Sequence, residues 1–225
     1  MIEVKNLVYE IVEGEKKRKI LDIDHLLLED CKINIISGVS GSGKSTFLYA
    51  LLGLLEITKG EVFINQTSLY GMSKIERDNY RLKHYGMVYQ RHNLFPFMNV
   101  LDNVIVPFYL REEKVTKQIK DRAMFLLDRV GLADKVDKNI SALSGGEQQR
   151  VAIARGLITE PEILICDEPT ASLDKGNTKK FMDDLLELKK GSKTTIVIST
   201  HDAIVKEYAD EIVEISDGRV VKELL

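Results

Sequence analysis

The residues of this chain best suited to chemistry on phosphate are Gly38-Val39-Ser40-Gly41-Ser42-Gly43-Lys44-Ser45-Thr46. They fit G-x-x-x-x-G-K-[ST], in which glycines let backbone N–H groups turn inward around phosphate oxygens through dihedrals that a Cβ obstructs. A helix opening at the last glycine adds its positive end beneath the same oxygens. Lys44 is then placed to reach the β- and γ-phosphates, and the Ser45 hydroxyl to take one position around Mg²⁺. A flexible Gly/Ser turn is the bland alternative, and the Lys-Ser-Thr directly after the last glycine argues against it.

Asp167 and Glu168 follow the apolar run Ile163-Leu164-Ile165-Cys166. Adjacent carboxylates leaving a strand point in different directions, so Asp167 suits the metal shell and Glu168 suits polarising the attacking water. A general base is typically worth about 10²- to 10⁴-fold in rate. Gln90 and His201 also close apolar runs. Gln90 is a candidate for the metal or the water, and His201 for donating to the γ-phosphate as charge builds there. Either alone is more often structural, but a shared address at the C-terminal ends of strands favours function. A second glycine cradle, Leu143-Ser144-Gly145-Gly146-Glu147-Gln148-Gln149-Arg150, precedes another helix. One nucleotide has one γ-phosphate, so either the two cradles converge within a monomer or each completes a site belonging to a second copy.

Positioning these groups requires strands that end where the motifs begin. Residues 33–36 form such a strand, and 47–52 continue the first cradle as a helix. Residues 2–9 alternate as a strand and 20–28 form another, with a charged loop around Gly14 between them. Lys59-Gly60 reads as a turn before a short strand at 61–64, so a small antiparallel sheet is expected to flank the phosphate loop. A polar helix is expected at 73–83 and a strand at 86–89. From 91 to 141 the texture changes: Pro96 and Pro107 punctuate the segment, and 115–130 form a helix with Ile119, Ala123, Leu126, Leu127 and Val130 on one face. Ser144 and Glu147 fit a capping box before a helix carrying Val151, Ala154, Leu157 and Ile158. A strand buried on both faces is expected at 163–166, a helix at 178–190, another buried strand at 195–199, and a hairpin at 211–222 around Asp217-Gly218. Strands alternating with helices imply a mostly parallel sheet with the site at its C-terminal edge.

A chain of 225 residues, 44% hydrophobic and 30% charged, can build one sizeable core. The net charge of -3 supplies no footprint for nucleic acid, and none is expected as a partner. The basic run Lys16-Lys17-Arg18-Lys19 reads as a solvated loop. Cys31 and Cys166 have no zinc spacing and read as reduced thiols. The longest apolar run, 47–55, falls short of the roughly 20 residues that span a membrane, and Glu3 and Lys5 stand where a signal peptide needs an apolar core. A membrane role would need another chain.

Together the loop at 38–46, Gln90, the octapeptide 143–150, the run 163–168, Ala171-Ser172-Leu173-Asp174 and His201 resemble the nucleotide-binding subunit of ABC transporters over essentially the whole chain. The octapeptide is similar to the family's signature, 171–174 to its D-loop and His201 to its switch histidine. The resemblance implies an α/β fold: a P-loop NTPase core with a mostly parallel sheet, an antiparallel β subdomain and a small helical subdomain. It implies a single ABC ATPase domain, with core and β lobe at 1–90 and 151–225 and the helical subdomain with the signature at 91–150. ATP and Mg²⁺ are the implied ligands. Two copies are implied to sandwich two ATP molecules head to tail, the first cradle of one facing Ser144, Gly145 and Gly146 of the other, with Asp174 nearby. The partner implied is an integral membrane permease, which places the chain peripherally on the cytoplasmic face of the cell membrane.

Gly86-Met87-Val88-Tyr89-Gln90, Asn93-Leu94-Phe95-Pro96 and Asp102-Asn103-Val104 followed by Pro107 resemble more narrowly the lipoprotein-release, macrolide- and peptide-export and cell-division branch. Phe95, Phe97 and Met98 belong either to a groove for a permease's cytoplasmic helix or to the core of the helical lobe. The family stacks adenine on an aromatic residue after the first strand. Here Ile11 stands at that place and Tyr9 two residues earlier on the same strand face, so Tyr9 is the candidate for stacking. Cys166 stands where a small or aliphatic residue is usual, and a thiol packs there without difficulty. Export or extraction of a peptide, lipid or drug-like substrate is expected. The competing readings are a mechanical or regulatory ATPase beneath a membrane partner that transports nothing, a soluble ABC ATPase, and a GTPase hinted at by Asp134-Lys135-Val136-Asp137, which lacks the Asn of the guanine-reading N-K-x-D.

Overall fold

The β-branched runs become strands and the 3.6-residue patterns become helices in a computed structural model that describes residues 1–14, 16–90 and 92–224. In chain order the elements are β1 (Ile2–Glu13), β2 (Lys16–Leu28), β3 (Ile33–Ser37), α1 (Lys44–Leu51), β4 (Lys59–Ile64), β5 (Thr67–Ser68), α2 (Lys74–His84), β6 (Tyr85–Tyr89), α3 (Val100–Leu110), α4 (Lys117–Arg129), α5 (Gly145–Leu157), β7 (Ile163–Asp167), α6 (Lys175–Lys189), β8 (Thr195–Thr200), α7 (Ala203–Lys206), β9 (Glu211–Ser216) and β10 (Arg219–Leu224). They gather into two compact units, one of residues 1–81 and 195–225, the other of 82–194.

In the first unit β2, β1, β4 and β5 form an antiparallel sheet. Beside it β3 pairs in parallel with both β8 and β9, and β9 turns back as a hairpin into β10. Every position of β3 and β8 is buried, as parallel strands covered on both faces require. The hairpin turns at Asp217 and Gly218, which carry φ of 48° and 75°, the paired positive angles of a tight two-residue turn. Two expectations need correction here. The basic run 16–19 is no loop: it pairs with 10–13, extending β1 and β2 as an exposed ribbon beyond the alternating segment. Lys59-Gly60 is no turn either, because both residues lie in β4, opposite a register shift in β1 between Lys5 and Val8.

The second unit pairs β6 with β7 in parallel and surrounds them with helices. Contact between β6 and α5 is so close that a Cβ on Gly86 would lie 1.9 Å from the Gly156 carbonyl oxygen, so only glycine fits there. The expected helices at 115–130 and after Ser144 are present as α4 and α5, and Ala123, Leu126 and Leu127 of α4 are buried as the periodicity demands. The helix expected from 178 begins one turn earlier, because the Asp174 side chain caps it by accepting from the Asn177 N–H. Pro107 does not interrupt the chain: it sits inside α3, whose cap is the Asn99 side chain accepting from the Asp102 N–H. Apolar on nearly all sides, α3 has no amphipathic period to announce it.

Candidate nucleotide-binding and hydrolysis site

In the first unit β3 delivers the chain into the glycine loop, and α1 begins immediately after it. Gly43, the residue preceding α1, has φ 105° and no side chain caps the helix start. A helix that opens without a side-chain cap leaves its first N–H groups to be satisfied by other means, which is the condition for an anion cradle. Gly38 closes the loop against the C-terminal hairpin, where a Cβ would lie 2.2 Å from the Ile215 carbonyl oxygen. The hairpin braces the loop further, since Gly218 N–H donates to the Ser42 carbonyl at 2.9 Å and the Gly218 carbonyl accepts from Asp22 N–H at 2.8 Å.

Lys44 is 4% exposed, and its Nζ donates to the Gly38 and Val39 carbonyls, each at 3.0 Å. Folded across the loop in this way, the ammonium lies along the rim where phosphate oxygens would sit. The Ser42 Oγ is buried without a hydrogen-bond partner. A buried hydroxyl left alone is costly, and one inside a phosphate loop is what an incoming oxygen would satisfy. Gly41 has open space where a Cβ would stand, Ser40 is exposed, and Ser45 and Thr46 are half-buried in the first turn of α1. The residues present thus fit a triphosphate, and the Ser45 hydroxyl fits a hard cation that prefers oxygen. Among the described residues no group of three or more His, Cys, Asp or Glu side chains is gathered as a metal cluster.

His201 belongs to the same unit. It follows Thr200, whose register partner is Ser37, so His201 and Gly38 leave neighbouring strand ends. The turn carrying His201 is pinned on its far side: Thr200 Oγ1 accepts from Asp202 N–H at 3.0 Å, and Asp202 Oδ1 accepts from Ile204 N–H at 2.8 Å. Tyr9 pairs across the sheet with Leu21, whose side chain lies against Gly43. The shared face of Tyr9 and Ile11 does not hold as simple alternation, because a register shift falls between Tyr9 and Glu10.

In the second unit β6 and β7 end together, with Tyr89 paired to Asp167. Gln90, exposed, and Glu168, half-buried, are therefore the next residues out from adjacent strand ends. Glu168 has φ 42°, a left-handed conformation rarely taken by a non-glycine residue, and it turns the chain sharply after the strand. Burial pushes the Cys166 thiol well above the usual range, so it is a neutral packing group beside the aspartate. The signature segment is built as the capping box predicts. Ser144 Oγ accepts from Glu147 N–H at 3.4 Å, and Glu147 Oε2 accepts from Ser144 N–H at 2.8 Å. No side chain crowds Gly145 or Gly146, where a Cβ would meet nothing. Asp174 is exposed and caps α6, and the N–H groups of Asn177 hold its carboxyl below the usual range.

Three supporting side chains escaped the sequence reading. Gln149, 3% exposed, donates through Nε2 to the Pro169 carbonyl at 2.8 Å, tying the signature helix to the turn after Glu168. Arg155, 8% exposed, donates to the His92 and Asn93 carbonyls at 2.6 and 2.7 Å, where both residues have positive φ, and so clamps the segment following Gln90. Asn103 adds a second clamp, accepting from Phe95 N–H at 2.8 Å and donating to the Phe95 carbonyl at 3.0 Å. A charged residue amid the apolar 151–154 and 156–158 was the available signal for Arg155. Phe97, 75% exposed, is not core; it meets Phe95 edge to face at 5.8 Å between ring centres.

A family model described as "ABC transporter" matches residues 21–171. The lipoprotein-releasing system ATP-binding protein LolD of Aquifex aeolicus is 45% identical over 190 residues, covering 84% of each chain. The methionine import ATP-binding protein MetN of Carboxydothermus hydrogenoformans is 40% identical over 230 residues, covering 99% of this chain and 66% of the relative. Among solved structures, a dimeric post-hydrolysis state of the ATP-binding cassette MJ0796 bound to ADP and Pi superposes with a TM-score of 0.88 at 32% identity, covering 100% of this chain and 98% of that one.

Proposed function

From the premise that this chain belongs to the ABC transporter family, we propose that it sits peripherally on the cytoplasmic face of the cell membrane and powers export or extraction of a peptide, lipid or drug-like substrate by a permease. The activity is that of the family: an ATP-binding, Mg²⁺-dependent ATPase subunit, dimeric, powering a separate membrane permease. No helix among the described residues is long and apolar enough to cross a membrane.

Each residue's part follows from its chemistry. Lys44 and the loop 38–46 hold the triphosphate, and Ser45, Asp167 and Gln90 are the groups that would hold Mg²⁺, which neutralises phosphate charge when bound. Glu168 takes the proton from the attacking water, and the strained φ that turns it out of β7 supports that role. His201 donates to the terminal phosphate as negative charge accumulates. Tyr9 stacks on adenine, and Ser144, Gly145, Gly146 and Asp174 complete the site of the second copy. The chain is one ABC ATPase domain, 91–150 forming its helical subdomain and the remainder its core and β lobe.

The single observation that carries the choice of substrate class is the likeness to a lipoprotein-releasing ATPase over 84% of this chain. Its test is to isolate the chain under mild detergent from its own cells. An accompanying membrane protein whose lipid or lipopeptide substrate stimulates ATP turnover is the expected result. Stimulation only by an amino acid presented from outside would instead establish import, the reading that the MetN likeness favours.

A further inference from the structure

The segment Asp134-Lys135-Val136-Asp137, which lacks the Asn of the guanine-reading motif, packs against the signature helix. A single 3₁₀ turn, Ala133–Lys135, aims Lys135 back at the signature helix, where its Nζ forms an ion pair with Glu147 Oε1. The other oxygen of that carboxylate is occupied by Ser144, accepting from the backbone N–H at 2.8 Å and from the side-chain Oγ at 2.9 Å. One carboxylate therefore governs where the Ser144 hydroxyl sits, and one ammonium governs the carboxylate. Both side chains are mostly covered, at 29% and 17% exposed.

This inference rests on the reading that Ser144, Gly145 and Gly146 meet the terminal phosphate of the partner copy's nucleotide. An uncompensated carboxylate within hydrogen-bond reach of Ser144 would then repel that phosphate. We propose that Lys135 is a positioning and charge-compensating residue for ATP-driven dimer closure, acting through Glu147 on Ser144. It neutralises a carboxylate built into the cradle and holds it where it anchors the serine hydroxyl.

Double-mutant kinetics on the purified chain test this. Lys135→Ala is expected to raise the KM for ATP, and the ATP concentration that dimerises a Glu168→Gln background, on the order of tenfold, while kcat changes much less. Lys135→Arg should recover most of the loss. In a Glu147→Gln background, where there is no charge to neutralise, Lys135→Ala should move KM by less than about twofold. Equal losses in both backgrounds, or a KM that tracks only the thermal midpoint, would reduce Lys135 to a structural strut and overturn the inference. Those results would leave the function itself standing. If the Glu168→Gln chain never dimerises with ATP, the reading of the cradle falls, and this inference with it.

Discussion

Tyr89 and Asp167 are register partners at the last rung between β6 and β7. Gln90 and Glu168 consequently emerge side by side from one sheet edge, and the sharp left-handed turn at Glu168 separates its carboxylate from that of Asp167. Two adjacent carboxylates can then serve different tasks, one as oxygen ligand and one as base. Replacing Glu168 by Gln preserves size and removes only the basic oxygen. We expect Glu168→Gln to lower ATP turnover by about 10²- to 10⁴-fold while nucleotide affinity holds, so that light scattering detects an ATP-bound dimer. Phosphate release at the wild-type rate would remove Glu168 from its role.

The second cradle is uncrowded, since a Cβ on Gly145 or Gly146 would meet nothing. A long cation placed at Ser144 should therefore obstruct a partner molecule while every residue of the monomer's own loop is left unchanged. Ser144→Arg is expected to abolish ATP-dependent dimerisation and to cut turnover by at least about 10²-fold, with monomer affinity within about threefold of wild type. Fluorescent-nucleotide titration alongside sedimentation separates the two effects.

Each motif proposed to meet phosphate was legible because it is local: a glycine spacing, a carboxylate pair after an apolar run, a Ser-x-x-Glu before a helix. The side chains holding those motifs in place were not, because Gln149 reaches Pro169 and Arg155 reaches His92 and Asn93 across stretches that no periodicity connects. The same limit explains α3. A nearly uniform apolar segment gives no period, and Pro107 looks like a stop until Asn99 is seen capping the helix that contains it. Gly60 misled in the opposite direction, reading as a turn while standing inside a strand at a bulge.

Arg155 tests how far the segment after Gln90 depends on its clamp. Its two charge-assisted bonds end on carbonyls of residues held at positive φ, and losing them leaves those oxygens without their donor. Arg155→Met keeps much of the volume and removes the fork. A loss of about 2–3 kcal/mol is expected, lowering the thermal midpoint by roughly 4–12 °C for a chain of this size. Arg155→Lys should restore only part of it, because one ammonium cannot reach two carbonyls with a planar fork. A midpoint unchanged in Arg155→Met would mean that water satisfies both carbonyls.

Acid stability offers a last check, through Glu147. The hydrogen bond from Lys135, followed by those from the Ser144 backbone and hydroxyl, holds its carboxyl down at about 2. An unfolded glutamate titrates near 4.3, so around pH 3 to 4 the native state binds fewer protons here than the unfolded one. The stabilisation is therefore complete above about pH 4.5 and disappears as pH falls towards about 2. Other carboxylates titrate in the same window, so the informative quantity is the difference between wild type and Glu147→Gln. The wild-type advantage in urea midpoint should be constant from pH 7 to 5 and shrink steadily below that. A gap that stays constant to pH 3 would show that Glu147 is not held ionised by Lys135 and Ser144, and that the capping box stabilises α5 by geometry alone.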